Sequence, residues 1–123
     1  MMLIDSNLLI YGVQPEYKNL RDWIVDQHPS YSIISRVEVL GFSKLQPIAK
    51  QALNDLLGSL ELIYLNPSTY EIAIELKQQR KISLGDALIA ATCIEHSKTL
   101  ATHNIEDFKW IENFRVIDQM LTD

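Results

Sequence analysis

The chain alternates short apolar runs with longer segments in which apolar residues recur every three or four places. "MLIDS" reads as a short buried strand that stops at Asp5, and residues 6–13 read as a short helix. Pro15 opens another helix with Trp23 and Ile24 on its apolar side. "YSIIS" (31–35) predicts a second strand, and "RVEVLGFSKL" has helical spacing at Val37, Leu40 and Leu45. Pro47 starts a helix that runs through Leu57, with Gly58 placed to close it. "LELIYL" (60–65) is a third strand, stopped by Asn66-Pro67. Ser68 or Thr69 then caps a helix carrying Ile72, Ala73 and Leu76. An almost wholly apolar helix follows from Ser83 to about Ser97. "TLAT" is a fourth strand, "NIEDF" a tight helical turn and "FRVID" a fifth strand.

Strands alternate with helices throughout, which predicts an α/β sandwich around a mostly parallel sheet of about five strands. No repeat, low-complexity tract or linker interrupts the pattern, and 123 residues suffice for one domain over 1–123 and not for two. The two helices between the second and third strands are expected to project as a hairpin whose apolar faces meet each other or a partner. Hydrophobic residues make up 47% of the chain and charged ones 22%, an ordinary soluble composition. No apolar run reaches the ~18 residues needed to cross a bilayer. The opening "MMLIDSNLLIYG" lacks the basic start of a signal peptide, so a cytoplasmic protein without membrane contact is expected. One cysteine, Cys93, excludes an internal disulfide. Its neighbours Ala90, Ala91 and Ile94 make it a buried small hydrophobe rather than a nucleophile.

A net charge of −5 argues, on its face, against a nucleic-acid partner. Were four acids gathered in one metal site, however, the rest of the surface would be close to neutral. Three segments invite that reading. Ser35-Arg36-Val37-Glu38, Ser83-Leu84-Gly85-Asp86 and Asn104-Ile105-Glu106-Asp107 each place an acid three positions after a capping residue. Taken singly, each is explained as a helix cap. Taken together with Asp5, they lie near strand ends or helix starts, and in open parallel sheets the strand C-termini line the ligand crevice. Neither Glu38 nor Asp86 has a basic residue three or four places away to neutralise it. Two carboxylates ~4 Å apart repel by about 4 kcal/mol at an effective dielectric near 20, so such a cluster calls for a cation. Oxygen-only ligands favour Mg²⁺ or Mn²⁺, which orient and deprotonate a water for in-line attack at phosphorus.

Other constellations fail. His28, His96 and His103 have no metal-ligand spacing, and no glycine-rich phosphate loop or H-E-x-x-H is present. His28 and His96 read as structural, whereas His103, between Thr102 and Asn104, falls on the cleft side. Lys77, Arg80 and Lys81 read as a solvated helix end, with an RNA contact as the alternative. A phosphoacceptor signalling domain would want an acid at the end of the third strand, where "IYLNP" stands, and paired acids where "IDSN" supplies one.

At these residues the chain resembles PIN-domain ribonucleases, specifically VapC-like toxins of type II toxin–antitoxin pairs, over essentially its whole length. "LIDSNLLIYG" is similar to the family's first motif and "SRVEVLGF" to its second, while "LGDALIAATCIEHSKTLATHNIEDFKWI" is similar to the third and fourth and is the most specific. The resemblance implies a three-layer α/β/α sandwich and a Mg²⁺- or Mn²⁺-dependent endoribonuclease. Asp5, Glu38, Asp86 and Asp107 would be the catalytic, metal-binding acids. Ser6, Asn7, Thr102 and Asn104 would support the acids or the phosphate, with His103 standing where the family often has Arg. Gly85 replaces the commoner Ala or Pro. The implied partners are RNA, a cognate antitoxin and a second copy of the chain. A degenerate module that only binds protein is the alternative, and the intact acids speak against it.

Overall fold

The computed structural model describes residues 1–122, built on five short parallel strands. They are β1 (Met2–Ile4), β2 (Tyr31–Ser32), β3 (Leu62–Ile63), β4 (Thr99–Ala101) and β5 (Val116–Ile117). The helices are α1 (Ser6–Gly12), α2 (Lys18–Gln27), α3 (Ile33–Leu40), α4 (Pro47–Gly58), α5 (Pro67–Gln79) and α6 (Leu84–Glu95). β4 lies between β1 and β5, with Ile4 beside Ala101 and Ala101 beside Ile117. β2 pairs with β3 in a second ladder. Ile4 N donates to Ser30 O (2.9 Å) and Ser30 N to Met2 O (2.9 Å), which join β1 to the start of β2.

Alternation along the strands separates two faces. Ile4 and Ala101 pack with Leu8, Leu20, Ile24 and Leu53 of α1, α2 and α4. Leu3 and Leu100 face the other way, against Leu76, Ile89, Cys93 and Phe108. The sheet is thus a middle layer between helices. α6 is buried along 87–93, and an apolar surface on every side is what such a helix requires.

The expected order of strands and helices is present, with local differences: α3 ends at Leu40, so Leu45 lies outside it, and α4 runs through Gly58 to a C-cap at Ser59. The strand read over 31–35 stops at Ser32, because Ser32 Oγ accepts from Ile34 N (3.0 Å) and caps α3. Ser35, expected as the cap, is therefore inside the helix and buried, and Glu38 lies in its last turn rather than its first. Asn66, rather than Ser68 or Thr69, caps α5. Its Oδ1 accepts from Ser68 N (2.9 Å) and Thr69 N (3.3 Å), and Thr69 Oγ1 accepts from Asn66 N (3.2 Å) to complete a capping box. Among the described residues no helix is long and apolar enough to cross a membrane.

Candidate active site

The strand register sets the site. Asp5, Thr102 and Asp118 are the residues next after Ile4, Ala101 and Ile117, so they stand side by side at the C-terminal edge of the sheet. Asp5 N donates to Ala101 O (2.8 Å) and Thr102 N to Ile117 O (2.9 Å), which extends the ladder to these positions. Asp5 is only 6% exposed. Its Oδ1 accepts from Ser6 N (2.8 Å), and its Oδ2 accepts from Thr102 Oγ1 (2.8 Å) and, at 3.5 Å, from Asn7 Nδ2. Burial nevertheless pushes its pKa up to about 6, against the Thr102 and Ser6 hydrogen bonds, and the charges of Asp86 and Glu38 add to the rise.

Glu38 reaches the same edge from α3. Ser6 Oγ contacts Glu38 Oε1 (2.6 Å) and Ser35 Oγ (3.0 Å). A hydroxyl has one proton, so Ser6 donates to the carboxylate and accepts from Ser35. On its other side Glu38 lies against α6: a Cβ at Gly85 would stand 3.3 Å from Glu38 Oε2. Gly85 therefore admits the Glu38 carboxylate beside the start of α6.

Ser83 caps α6, its Oγ accepting from Asp86 N (3.1 Å). The Asp86 side chain is half-buried. Its pKa is raised, by burial first and then by Asp107 and Glu38, with a Ser83 hydrogen bond working against the shift. Asp107 belongs to a 3-10 turn (Ile105–Asp107) held in place by fully buried Phe108 and by Trp110 Nε1, which donates to Asp107 O (2.9 Å). Asn104 precedes this turn without a side-chain cap; instead its N–H donates to Thr102 Oγ1 (3.0 Å).

The four acids are thus brought together electrostatically: Asp5 responds to Asp86 and Glu38, and Asp86 to Asp107 and Glu38. Among the described residues no three His, Cys, Asp or Glu side chains are close enough, as placed, to hold a metal ion. The donor chemistry fits a hard divalent cation all the same, since it consists of carboxylates whose mutual repulsion a cation would relieve. Ser6, Asn7 and Thr102 link the acids. Asn7 Nδ2 donates to Thr102 Oγ1 (3.3 Å) and Asn7 Oδ1 accepts from His103 N (3.1 Å).

Two residues escaped the sequence reading. Ser35 was masked by its capping pattern, and Asp118, at the end of the fifth strand, by the lack of any motif around it. Asp118 is buried, and its Oδ2 lies 2.9 Å from His103 Nδ1. A recess of about 440 Å³ is lined by His103, Asp118 and the Asp107 turn. A larger one of about 560 Å³, between α2 and α4, lies away from the acids. Of the basic cluster, Lys77 donates to Ile82 O (2.7 Å) and Arg80 stacks 5.5 Å from the Trp110 ring centre, so both have structural partners.

The PIN domain family model matches residues 2–112. The chain belongs to the PIN domain family. Comparison with curated protein sequences gives no match. Among solved structures, this PIN domain is similar to a chain of a toxin–antitoxin complex from Klebsiella pneumoniae, at 27% identity and TM-score 0.75, covering 95% of this chain and 96% of that one. It is similar also to VapBC2 from Rickettsia felis bound to a promoter DNA fragment, at 26% identity and TM-score 0.76, covering 95% and 97%. DNA-bound VapBC from Salmonella typhimurium matches at TM-score 0.80 over 95% and 96% of the chains, and at 15% identity shows the fold alone. The PIN fold here is of the VapC-like form.

Thr102→Val provides a local check of this network. Valine keeps the shape but leaves Asp5 Oδ2 and Asn104 N without their Thr102 partner. The variant should lose about 1–3 kcal/mol of stability in urea unfolding at pH 7. Because Thr102 favours the ionised form of Asp5, the loss should shrink below pH 6, where Asp5 is protonated in the wild type.

Proposed function

We propose that residues 1–123 form one PIN nuclease domain, a Mg²⁺- or Mn²⁺-dependent endoribonuclease acting as the toxin of a toxin–antitoxin pair in the cytoplasm. The observation that carries this reading is the convergence of Asp5, Glu38, Asp86 and Asp107, from four separate segments, into one electrostatic cluster at the C-terminal edge of a parallel sheet. These four acids would hold the cation. When bound, it supplies an acidified water and charge stabilisation at phosphorus.

The chain's own groups do the rest. Thr102 and Ser6 N–H orient the two oxygens of Asp5, so its lone pairs are directed before any ligand arrives. Ser6 fixes Glu38 from below, and Ser35 in turn fixes Ser6. Asn7 couples the Asp5–Thr102 pair to the backbone at His103. Asn104 contributes through its backbone, which shapes the turn that carries Asp107. The likeness to chains of toxin–antitoxin complexes supports an antitoxin partner, and the exposed apolar residues Val37, Phe42 and Ile48, on α3, on α4 and between them, would suit that partner or a second copy of the chain.

The test joins biochemistry to growth. Purified protein should cut a structured RNA in Mg²⁺ or Mn²⁺ and stop in EDTA, and its expression should arrest growth unless a small antitoxin encoded beside it is co-expressed. Cleavage that persists in EDTA, or expression that never slows growth, would count against the proposal.

A further inference from the structure

We propose that Asp118 is a positioning residue for His103, and that His103 contacts a phosphate group of the RNA strand through Nε2. The inference rests on the ribonuclease reading and adds to it a cationic contact that the acids do not supply.

The geometry begins with the strand register. Asp118 ends β5 as Thr102 follows β4, and Thr102 N donates to Ile117 O (2.9 Å), so Asp118 lies one strand across from the Asp5–Thr102 pair. The Asp118 side chain is only 4% exposed. Its Oδ1 accepts from Met120 N (3.0 Å), and its Oδ2 meets His103 Nδ1 at 2.9 Å. A buried carboxylate fixes the imidazole with its proton on Nδ1, because the alternative tautomer would set two lone pairs against each other. Two further contacts fix the ring. His103 N donates to Asn7 Oδ1 (3.1 Å), and the ring meets Tyr11 edge-on with centres 5.7 Å apart. With Nδ1 taken, Nε2 is the nitrogen left for a ligand. The side chain is 38% exposed and lines the recess that Asp107 shares.

The charges around this recess say what Nε2 is suited to bind. Asp118 faces the ring from the end of β5, Tyr11 from α1 with Tyr17 behind it, and Glu106 and Asp107 from the 3-10 turn. No Lys or Arg is among the residues that line it. An RNA phosphate entering here meets acids on two sides, and protonated His103 is the cation the protein itself offers.

The experiment measures binding of a fluorescein-labelled single-stranded RNA by anisotropy in EDTA at one fixed pH, alongside kcat and KM for cleavage in Mn²⁺. His103→Asn should lose roughly tenfold or more in affinity, the value of one charge-assisted hydrogen bond, and should raise KM more than it lowers kcat. His103→Arg should restore binding. Asp118→Asn, which leaves the ring an amide oxygen in place of a carboxylate, should raise KM in the same direction by a smaller factor. A purely structural pair would lower the melting temperature of these variants without moving KM. A His103→Asn protein with wild-type affinity, or a His103→Arg protein that binds no better than His103→Asn, would overturn the proposal. Intact metal-dependent cleavage with either result leaves the ribonuclease reading standing. Absent cleavage with RNA binding that His103→Asn loses and His103→Arg restores removes the ribonuclease reading and keeps the phosphate contact.

Discussion

Replacing Asp5 by Asn is expected to abolish RNA cleavage and yet leave the metal-free protein at least as stable as wild type at pH 7. The reason is the buried carboxylate. Asp5 titrates at about 6 in the fold, against an ordinary value of 3.8. Between those values the folded protein holds a proton that the unfolded chain has released. Wild-type stability therefore falls as pH rises from about 4 to 6 and stays reduced above it. At 1.36 kcal/mol per unit the cost is on the order of 3 kcal/mol. Asn carries no charge and escapes it, although its amide must turn one NH₂ towards Thr102 and Asn7, which returns about 1–3 kcal/mol. The net gain at pH 7 is about 0–2 kcal/mol, up to several degrees in melting temperature for a domain of this size. Thermal melts in EDTA from pH 4 to 8 check the sign. The variant should gain on wild type steadily up to pH 6 and hold the gain above it. A variant that melts lower at pH 7 than at pH 4, relative to wild type, would mean that Asp5 is a stabilising cap and nothing more.

Adding Mg²⁺ is expected to stabilise the wild type and to do much less for Asp86→Asn. A ligand that binds only the folded state contributes roughly 2.7 kcal/mol at a hundred times its dissociation constant. Asp86 is the acid that responds to both Asp107 and Glu38, so removing its charge takes a donor from the cluster and relieves repulsion in the metal-free protein. A carboxylate that served only the first turn of α6 would behave otherwise. Its loss would cost about 0.3–1 kcal/mol of dipole interaction whether or not metal is present. Differential scanning fluorimetry with and without Mg²⁺ separates the two. The expected pattern is a metal-free variant melting at or above wild type, with most of the Mg²⁺ shift gone. Equal Mg²⁺ shifts in a variant that melts lower would return Asp86 to the role of a cap.

The order of elements could be read from the chain because helices carry their own punctuation: Pro15, Pro47 and Ser83 all open helical segments where expected. The boundary at Ile33 could not. Ile33 and Ile34 are β-branched and follow a strand, yet the Ser32 side chain satisfies Ile34 N and starts α3 early. That shift moved Ser35 from a cap into the Ser6–Glu38 network. Strands of two or three residues are also too short to show alternation, so the two faces of the sheet emerged only with the register of Leu3 and Ile4 against Leu100 and Ala101. Glu38 and Asp86 drew notice through unpaired charge, Asp107 through its spacing after a capping residue and Asp5 through its place at a strand end, all of them local signals. The Asp118–His103 pairing is not local. It depends on β5 lying beside β4, and that becomes visible only when the chain is folded. Gly85 illustrates the same limit: the space it leaves is filled by a glutamate from another helix.

As proposed, Asp5, Glu38, Asp86 and Asp107 make one metal-dependent nuclease centre. Its most direct measurement is cleavage of a fluorescent RNA in Mn²⁺ by the wild type and by Asp5→Asn, Glu38→Gln, Asp86→Asn and Asp107→Asn, each confirmed folded by its melt. The wild type should show activity that EDTA removes, and every variant a loss of about a hundredfold or more, as expected when a group worth several kcal/mol in the transition state is disabled. Wild-type rates in Asp5→Asn, or cleavage undiminished by EDTA, would contradict it.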